Sequence, residues 1–140
     1  MLLINDENAE ILESYFEISQ KEFEEKYYGN LSVCFKWHNK KGYFQFFIDN
    51  PPDNNAKYYT NKSYKCIPEL NENSINDLEI YDTNNHYSLG DFNEEMTVSF
   101  GTIENNRINV TIQINEEYLS INLNDKVDIQ LNKTNGIKRW

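Results

Sequence analysis

Residues 96–131 read MTVSFGTIENNRINVTIQINEEYLSINLNDKVDIQL, and the alternation within them decides the fold. Ile108, Val110, Ile112 and Ile114 alternate with Arg107, Asn109, Thr111, Gln113 and Asn115. A period of two places one set on one face of a strand. Leu119, Ile121 and Leu123 continue the pattern, as do Val127, Ile129 and Leu131. Breaks at Asn105-Asn106, Glu116-Glu117 and Asn124-Asp125-Lys126 divide it into a four-stranded antiparallel meander. With Glu116-Glu117 as a tip, Ile114 faces Leu119, Ile112 faces Ile121 and Val110 faces Leu123, apolar against apolar. The three-residue loop 124–126 then sets Leu123 opposite Val127. Asn105-Asn106 suits a type I′ turn, because asparagine tolerates φ > 0, and it pairs Ile103 with Ile108. Met96, Val98 and Phe100 are then out of phase with Ile103. One residue must be absorbed, which predicts a β-bulge at Gly101-Thr102.

Upstream, Leu31–Trp37 and Tyr43–Ile48 form a hairpin around Asn39-Lys40-Lys41-Gly42. With Lys40-Lys41 at the tip, Trp37 faces Phe44, Phe35 faces Phe46 and Val33 faces Ile48. Its other side carries Cys34, Lys36, His38, Tyr43, Gln45 and Phe47, less polar than a bare face should be, so part of it is expected to be covered. Asn5–Tyr28 reads as a helix. Ile11, Leu12, Tyr15, Phe16, Ser19, Phe23 and Tyr27 recur at spacings of three and four. Asn5 or Asp6 can cap it, and Gly29 can end it. A short strand at Tyr15–Ile18 is the alternative. Pro51-Pro52 mark a loop, Lys57–Ile67 is an edge strand or irregular, Leu78–Tyr81 a short strand, and Asp82–Glu95 a polar loop with Leu89 and Phe92 as anchors. The expected fold is therefore α+β: one domain, residues 1–140, with the N-terminal helix packed on an antiparallel sheet built from hairpin 31–48 and meander 96–131. A β-sandwich is the alternative.

At 140 residues, with 39% apolar and 14% aromatic residues, the chain can bury a core despite its low mean hydropathy. No segment approaches the ~20 apolar residues of a membrane span. Met-Leu-Leu-Ile runs directly into Asn5-Asp6-Glu7, so no signal peptide is read, and a cytoplasmic location is expected. Cys34 and Cys66 are then reduced, and the sequons at Asn30, Asn61, Asn109 and Asn132 carry no glycan. The 22 asparagines fit an AT-rich coding sequence, or a surface rich in amide groups.

Net charge is −10 and uneven: residues 1–30 carry −6, residues 31–65 carry +4, residues 66–125 carry −11 and residues 126–140 carry +3. Such a surface repels phosphates, which argues against nucleic acid, and suits a basic protein partner. The one basic region interleaves Lys57, Tyr58, Tyr59, Lys62, Tyr64 and Lys65, a pattern shared by single-strand binders and by ordinary edge strands.

No stretch carries a catalytic or cofactor motif. Asp82, Asn84 and His86 imitate the start of a calcium loop, but Tyr87 replaces its glycine and Asn93 its closing glutamate. Two histidines and two cysteines without short spacing give no zinc site. The five glycines are isolated, so no phosphate loop exists. Neither metal nor cofactor is expected.

Three functions are weighed. The first is a non-enzymatic acidic binding module that neutralises a basic partner, with toxin-immunity proteins as the class and a nuclease as the type of toxin. Its expected contacts are Glu79, Asp82, Asp91, Glu94, Glu95, Glu104, Glu116 and Glu117, with Tyr81, Tyr87 and Phe92 as aromatic anchors. The second is a sugar or small-ligand module using the polar face of the meander, which a concave surface bearing rings would favour and a flat or convex one would oppose. The third is an enzyme, which needs His38 or His86 in a pocket beside a carboxylate.

Overall fold

The computed structural model describes residues 1–20, 26–67, 72–73, 75–81, 86–88 and 95–131. In chain order the strands are β1 (Leu2–Ile4), β2 (Glu7–Gln20), β3 (Tyr27–Trp37), β4 (Lys40–Ile48), β5 (Ser63–Ile67), β6 (Glu72–Asn73), β7 (Ile75–Tyr81), β8 (His86–Ser88), β9 (Met96–Glu104), β10 (Arg107–Asn115) and β11 (Ser120–Leu131). They form one sheet in the order β6-β5-β9-β10-β11-β1-β2-β3-β4-β7-β8. It curls into a half-barrel. Apolar rows from β1 to β5 and β9 to β11 line its inside, including Ile4, Phe16, Val33, Phe44, Tyr64, Val98, Ile112 and Leu123.

The expected N-terminal helix is absent, which overturns the α+β class; the sandwich alternative is the closer of the two. Residues 7–20 are a strand, and the helical spacing has a specific cause. In the pairing of β2 with β3, Ile11 opposes Phe35 and Glu13 opposes Cys34, so Leu12 is an extra residue. Ala9 and Ile11 pack on the core before this bulge, Phe16 and Ile18 within it after. The bulge shifts the inward phase from odd to even positions, and the composite spacing imitates one side of a helix. The run Tyr15–Ser19 is moreover buried on both faces, which erases the apolar–polar alternation. Gly29, read as a helix stop, lies inside β3.

The meander keeps its faces and the Ile103–Ile108 pairing of its first hairpin, but the second hairpin has a different register. Ile114 opposes Ile121, Ile112 opposes Leu123 and Ile108 opposes Val127, with residues 116–119 as the loop and Glu116 N–H donating to the Leu119 carbonyl at 2.9 Å. No turn exists at 124–126. β11 runs through it, so the meander has three strands rather than four. Turn-forming residues persist there because β11 changes neighbour at that point. Leu123 still pairs with β1, Asn124 exchanges backbone bonds with Met1, and from Asp128 the strand lies parallel to β2. The bulge sits where glycine placed it: Phe100 opposes Val110 and Ile103 opposes Ile108, leaving Gly101-Thr102 against Asn109.

The β3–β4 hairpin turns at His38-Asn39, not at Lys40-Lys41, so Trp37 opposes Lys40, Val33 opposes Phe44 and Leu31 opposes Phe46. His38 and Asn39 both have φ > 0, as do Asn5-Asp6 and Asn105-Asn106 in the other two-residue turns. Among the described residues, five of the eight non-glycine residues with positive φ are asparagines, and no glycine has a positive φ. Part of the asparagine excess therefore serves the type I′ turns that close the hairpins.

Between β4 and β5 the chain makes a single 3-10 turn, Ala56–Tyr59, capped by the Asn55 side chain on Lys57 N–H. Tyr59 enters the half-barrel and is fully buried. Its ring meets Phe16 at 4.8 Å and Phe100 at 5.4 Å between centroids, joining β2 to β9 across the interior. Its hydroxyl donates to the Ile48 carbonyl at 2.8 Å. A Cβ on Gly29 would lie 2.5 Å from that hydroxyl, so β3 needs glycine there for the ring to enter.

Candidate functional site

Strand direction sorts the turns into two ends. At one end lie the β1–β2 turn Asn5-Asp6, the β3–β4 turn His38-Asn39, loop 116–119 and the start of β9; at the other lie loop 49–62 and the tip Asn105-Asn106. The first end collects acids. Asp6, Glu7, Glu95 and Glu117 are exposed there and Glu116 is half-buried. Asn5 ties two of these turns together: its N–H donates to the Ser120 carbonyl at 2.9 Å, and its side-chain oxygen accepts from Ser120 N–H at 2.8 Å. The acidic sector runs from β9 to β2. It ends at the β3–β4 turn, where His38 pairs with Glu7 and stacks on Trp37 at 4.1 Å, and where Lys40 and Lys41 are exposed.

Of the expected contacts, Glu95, Glu116 and Glu117 come together at this end. Glu104 does not. It stands at the far end of β10, about 27 Å away at the usual rise per residue, and pairs with Lys126 at 3.7 Å. Glu79 lies within β7 opposite Gln45; Tyr81 opposes Tyr43 and His86, and Tyr87 opposes Ile80, which places Tyr81 at the acidic end by backbone position. Asp82, Asp91, Phe92 and Glu94 lie outside the described residues. Sequence reading missed Asp6 and Glu7. Asn5-Asp6 is a turn dipeptide, but the helical spacing downstream made it look like a cap.

A pocket of about 340 Å³ opens beside the acidic end on the outer face of β9 and β10. Its lining among the described residues is Glu95, Thr97, Gln113 and Asn115. Lys65 on β5 reaches Glu95 at 3.3 Å.

The remaining chemistry is dispersed. His38 and His86 are both exposed. The Cys34 thiol is pushed up by burial and by Glu13, away from thiolate reactivity. Among the described residues no three His, Cys, Asp or Glu side chains gather as a metal set. Tyr59 and Tyr64 of the basic stretch are core residues, and Lys62 lies 3.4 Å over the Tyr58 ring, so these rings do not form an open stacking platform. The polar face of the meander is the outer, convex side of the curl, which counts against the sugar reading. Among the described residues no helix is long and apolar enough to cross a membrane.

The chain matches no family model, no curated protein and no solved structure.

Proposed function

We propose that this chain is a non-enzymatic cytosolic binding module that neutralises a basic protein, in the manner of a toxin-immunity protein facing a cationic nuclease. One observation carries the reading. Acids far apart in sequence, Asp6-Glu7, Glu95 and Glu116-Glu117, converge on one end of the sheet, in a chain of net charge −10. Charge concentrated on one surface steers a cationic partner into encounter and gives an association rate that falls with salt.

The test is kinetic. Basic proteins retained from native lysate on the immobilised chain are measured for association with wild type and with the triple variant Glu95→Lys, Glu116→Lys, Glu117→Lys. At low ionic strength the variant should associate about tenfold slower or worse, with most of the salt dependence gone. Equal on-rates at every salt concentration would sink the charge argument.

A further inference from the structure

We infer that the pocket lined by Glu95, Thr97, Gln113 and Asn115 receives an arginine side chain of that basic partner, an assignment that rests on the reading above and sharpens it. Among the described residues the lining offers a carboxylate, a hydroxyl and two amides, and Glu95 is the charged member of that set. Among the described residues no hydrogen bond engages the side chains of Thr97, Gln113 or Asn115, so their oxygens can turn inward as acceptors. A guanidinium carries five donors in a planar fork. It can take Glu95 through two of them and the amide oxygens through the rest, which a single ammonium cannot do. The volume lies at the lower limit of about 300–1,000 Å³ usual for ligand sites, suited to one inserted side chain. Continuity with the acidic end supports a protein-borne arginine: Asn115 leads directly into Glu116 and Glu117.

Lys65 already shows the polarity of the site. Its ammonium stands 3.3 Å from Glu95 while both side chains remain about half exposed, a contact of the kind that an incoming cation displaces cheaply. Lys65 is therefore a resident competitor. Removing it should strengthen arginine binding, whereas removing Glu95 should abolish it.

The experiment uses the full chain, labelled with ¹⁵N and titrated with Nα-acetyl-arginine methylamide and with the matched lysine compound. Saturable shifts of the Gln113 and Asn115 side-chain amides by the arginine compound, weaker ones by the lysine compound, loss of both in Glu95→Gln, and about two- to fivefold tighter binding in Lys65→Gln are the expected results. Shifts that do not saturate, that persist in Glu95→Gln, or that are equal for the two compounds overturn the assignment. So does unchanged or weaker binding in Lys65→Gln. These readings are independent of the association kinetics above: a rim that steers a basic protein but shows no arginine-specific shift refutes the pocket and leaves the rim standing.

Discussion

The strands β9–β10–β11 and β2–β3–β4 belong to one sheet and share one core, yet they differ in how they treat their outer face. In the first set, inward Val98, Ile108, Val110 and Ile112 are buried while outward Thr102, Gln113 and Asn124 are exposed. In the second, the inward Phe16 and Ile18 alternate with outward Tyr15, Glu17 and Ser19, and all five are buried, as is outward Ser32 on β3. A buried polar row must satisfy its groups locally. Ser19 donates to Glu17 at 3.1 Å, and the Asn30 oxygen accepts from Ser32 and from Gln45 at 3.0 Å. Burial pushes the Tyr15 hydroxyl up, with the neighbouring Glu17 and Glu13 carboxylates adding to it and a hydrogen bond to Ser32 opposing. One half of the sheet has a single working face; the other half has two.

Beyond the backbone join of β11 with β1 and β2, the two halves meet across the interior at Tyr59, and the largest effect is expected there. Tyr59→Ala removes a fully buried ring between Phe16 and Phe100 and should cost about 3–5 kcal/mol in chemical denaturation, loosening both halves together. If only one half loses protection in hydrogen exchange, the seam is not where the halves are joined. The same ring gives an alkaline signature. Burial holds the Tyr59 and Tyr64 phenols well above their ordinary value, with Tyr64 and Asp49 adding to the shift of Tyr59 and Asp49 adding to that of Tyr64. The folded state therefore keeps a proton that the unfolded state releases near pH ~10, so this stabilisation is whole below that pH and is lost as pH rises through and beyond it. Phenolate absorbance should rise first for the accessible members of the ten tyrosines, with Tyr59 and Tyr64 joining only on unfolding.

A matched pair of outward substitutions tests the contrast directly. Ser32→Asp adds a carboxylate to a fully buried position on the face that already holds Glu17, and should cost about 3 kcal/mol. Thr111→Asp makes a similar change on the outer face of β10, where Thr111 opposes Ser99 and Asn124, and should cost less than ~1 kcal/mol. Similar penalties would mean that the second working face adds no stability.

The same contrast explains what could be read in advance. Where one face is wet, alternation shows in the sequence: Arg107–Asn115 is a strand with its expected faces, and the phase break at Gly101 coincides with the bulge. Register was less legible, because the apolar rows stay aligned when a hairpin slips by an even number of residues. Turn chemistry decided it instead, through His38-Asn39 and loop 116–119. Where both faces are buried and a bulge intervenes at Leu12, the signal for β2 was replaced by a helical one. The acidic end followed the same division. Glu95, Glu116 and Glu117 flank the legible strands β9 and β10, so their shared end follows from the meander, but Asp6-Glu7 joined them only because the misread segment is a strand.

Gly29 and Gly101 isolate packing from backbone, and the smallest effect of all is expected at Gly101. Neither Gly29 nor Gly101 has a positive φ, so Gly→Ala strains the main chain at neither. What differs is the atom opposite. At Gly29 the new methyl would meet the Tyr59 hydroxyl at 2.5 Å and Phe16 at 3.0 Å, all inside a closed core, and the expected cost is about 1–3 kcal/mol. At Gly101 it would meet the side chain of half-buried Asn109, nearest at its Cβ at 3.2 Å, on the wet side of the bulge. There the reduced freedom of the unfolded chain, worth about 0.4–1 kcal/mol, offsets the crowding and leaves stability nearly unchanged. Denaturation midpoints at constant slope measure both. Adding Tyr59→Phe to each variant then identifies the source: deleting the hydroxyl should recover part of the Gly29→Ala loss and none of any change at Gly101. Additive behaviour in the first pair would place the requirement for glycine in the β3 backbone rather than in the ring that β3 admits.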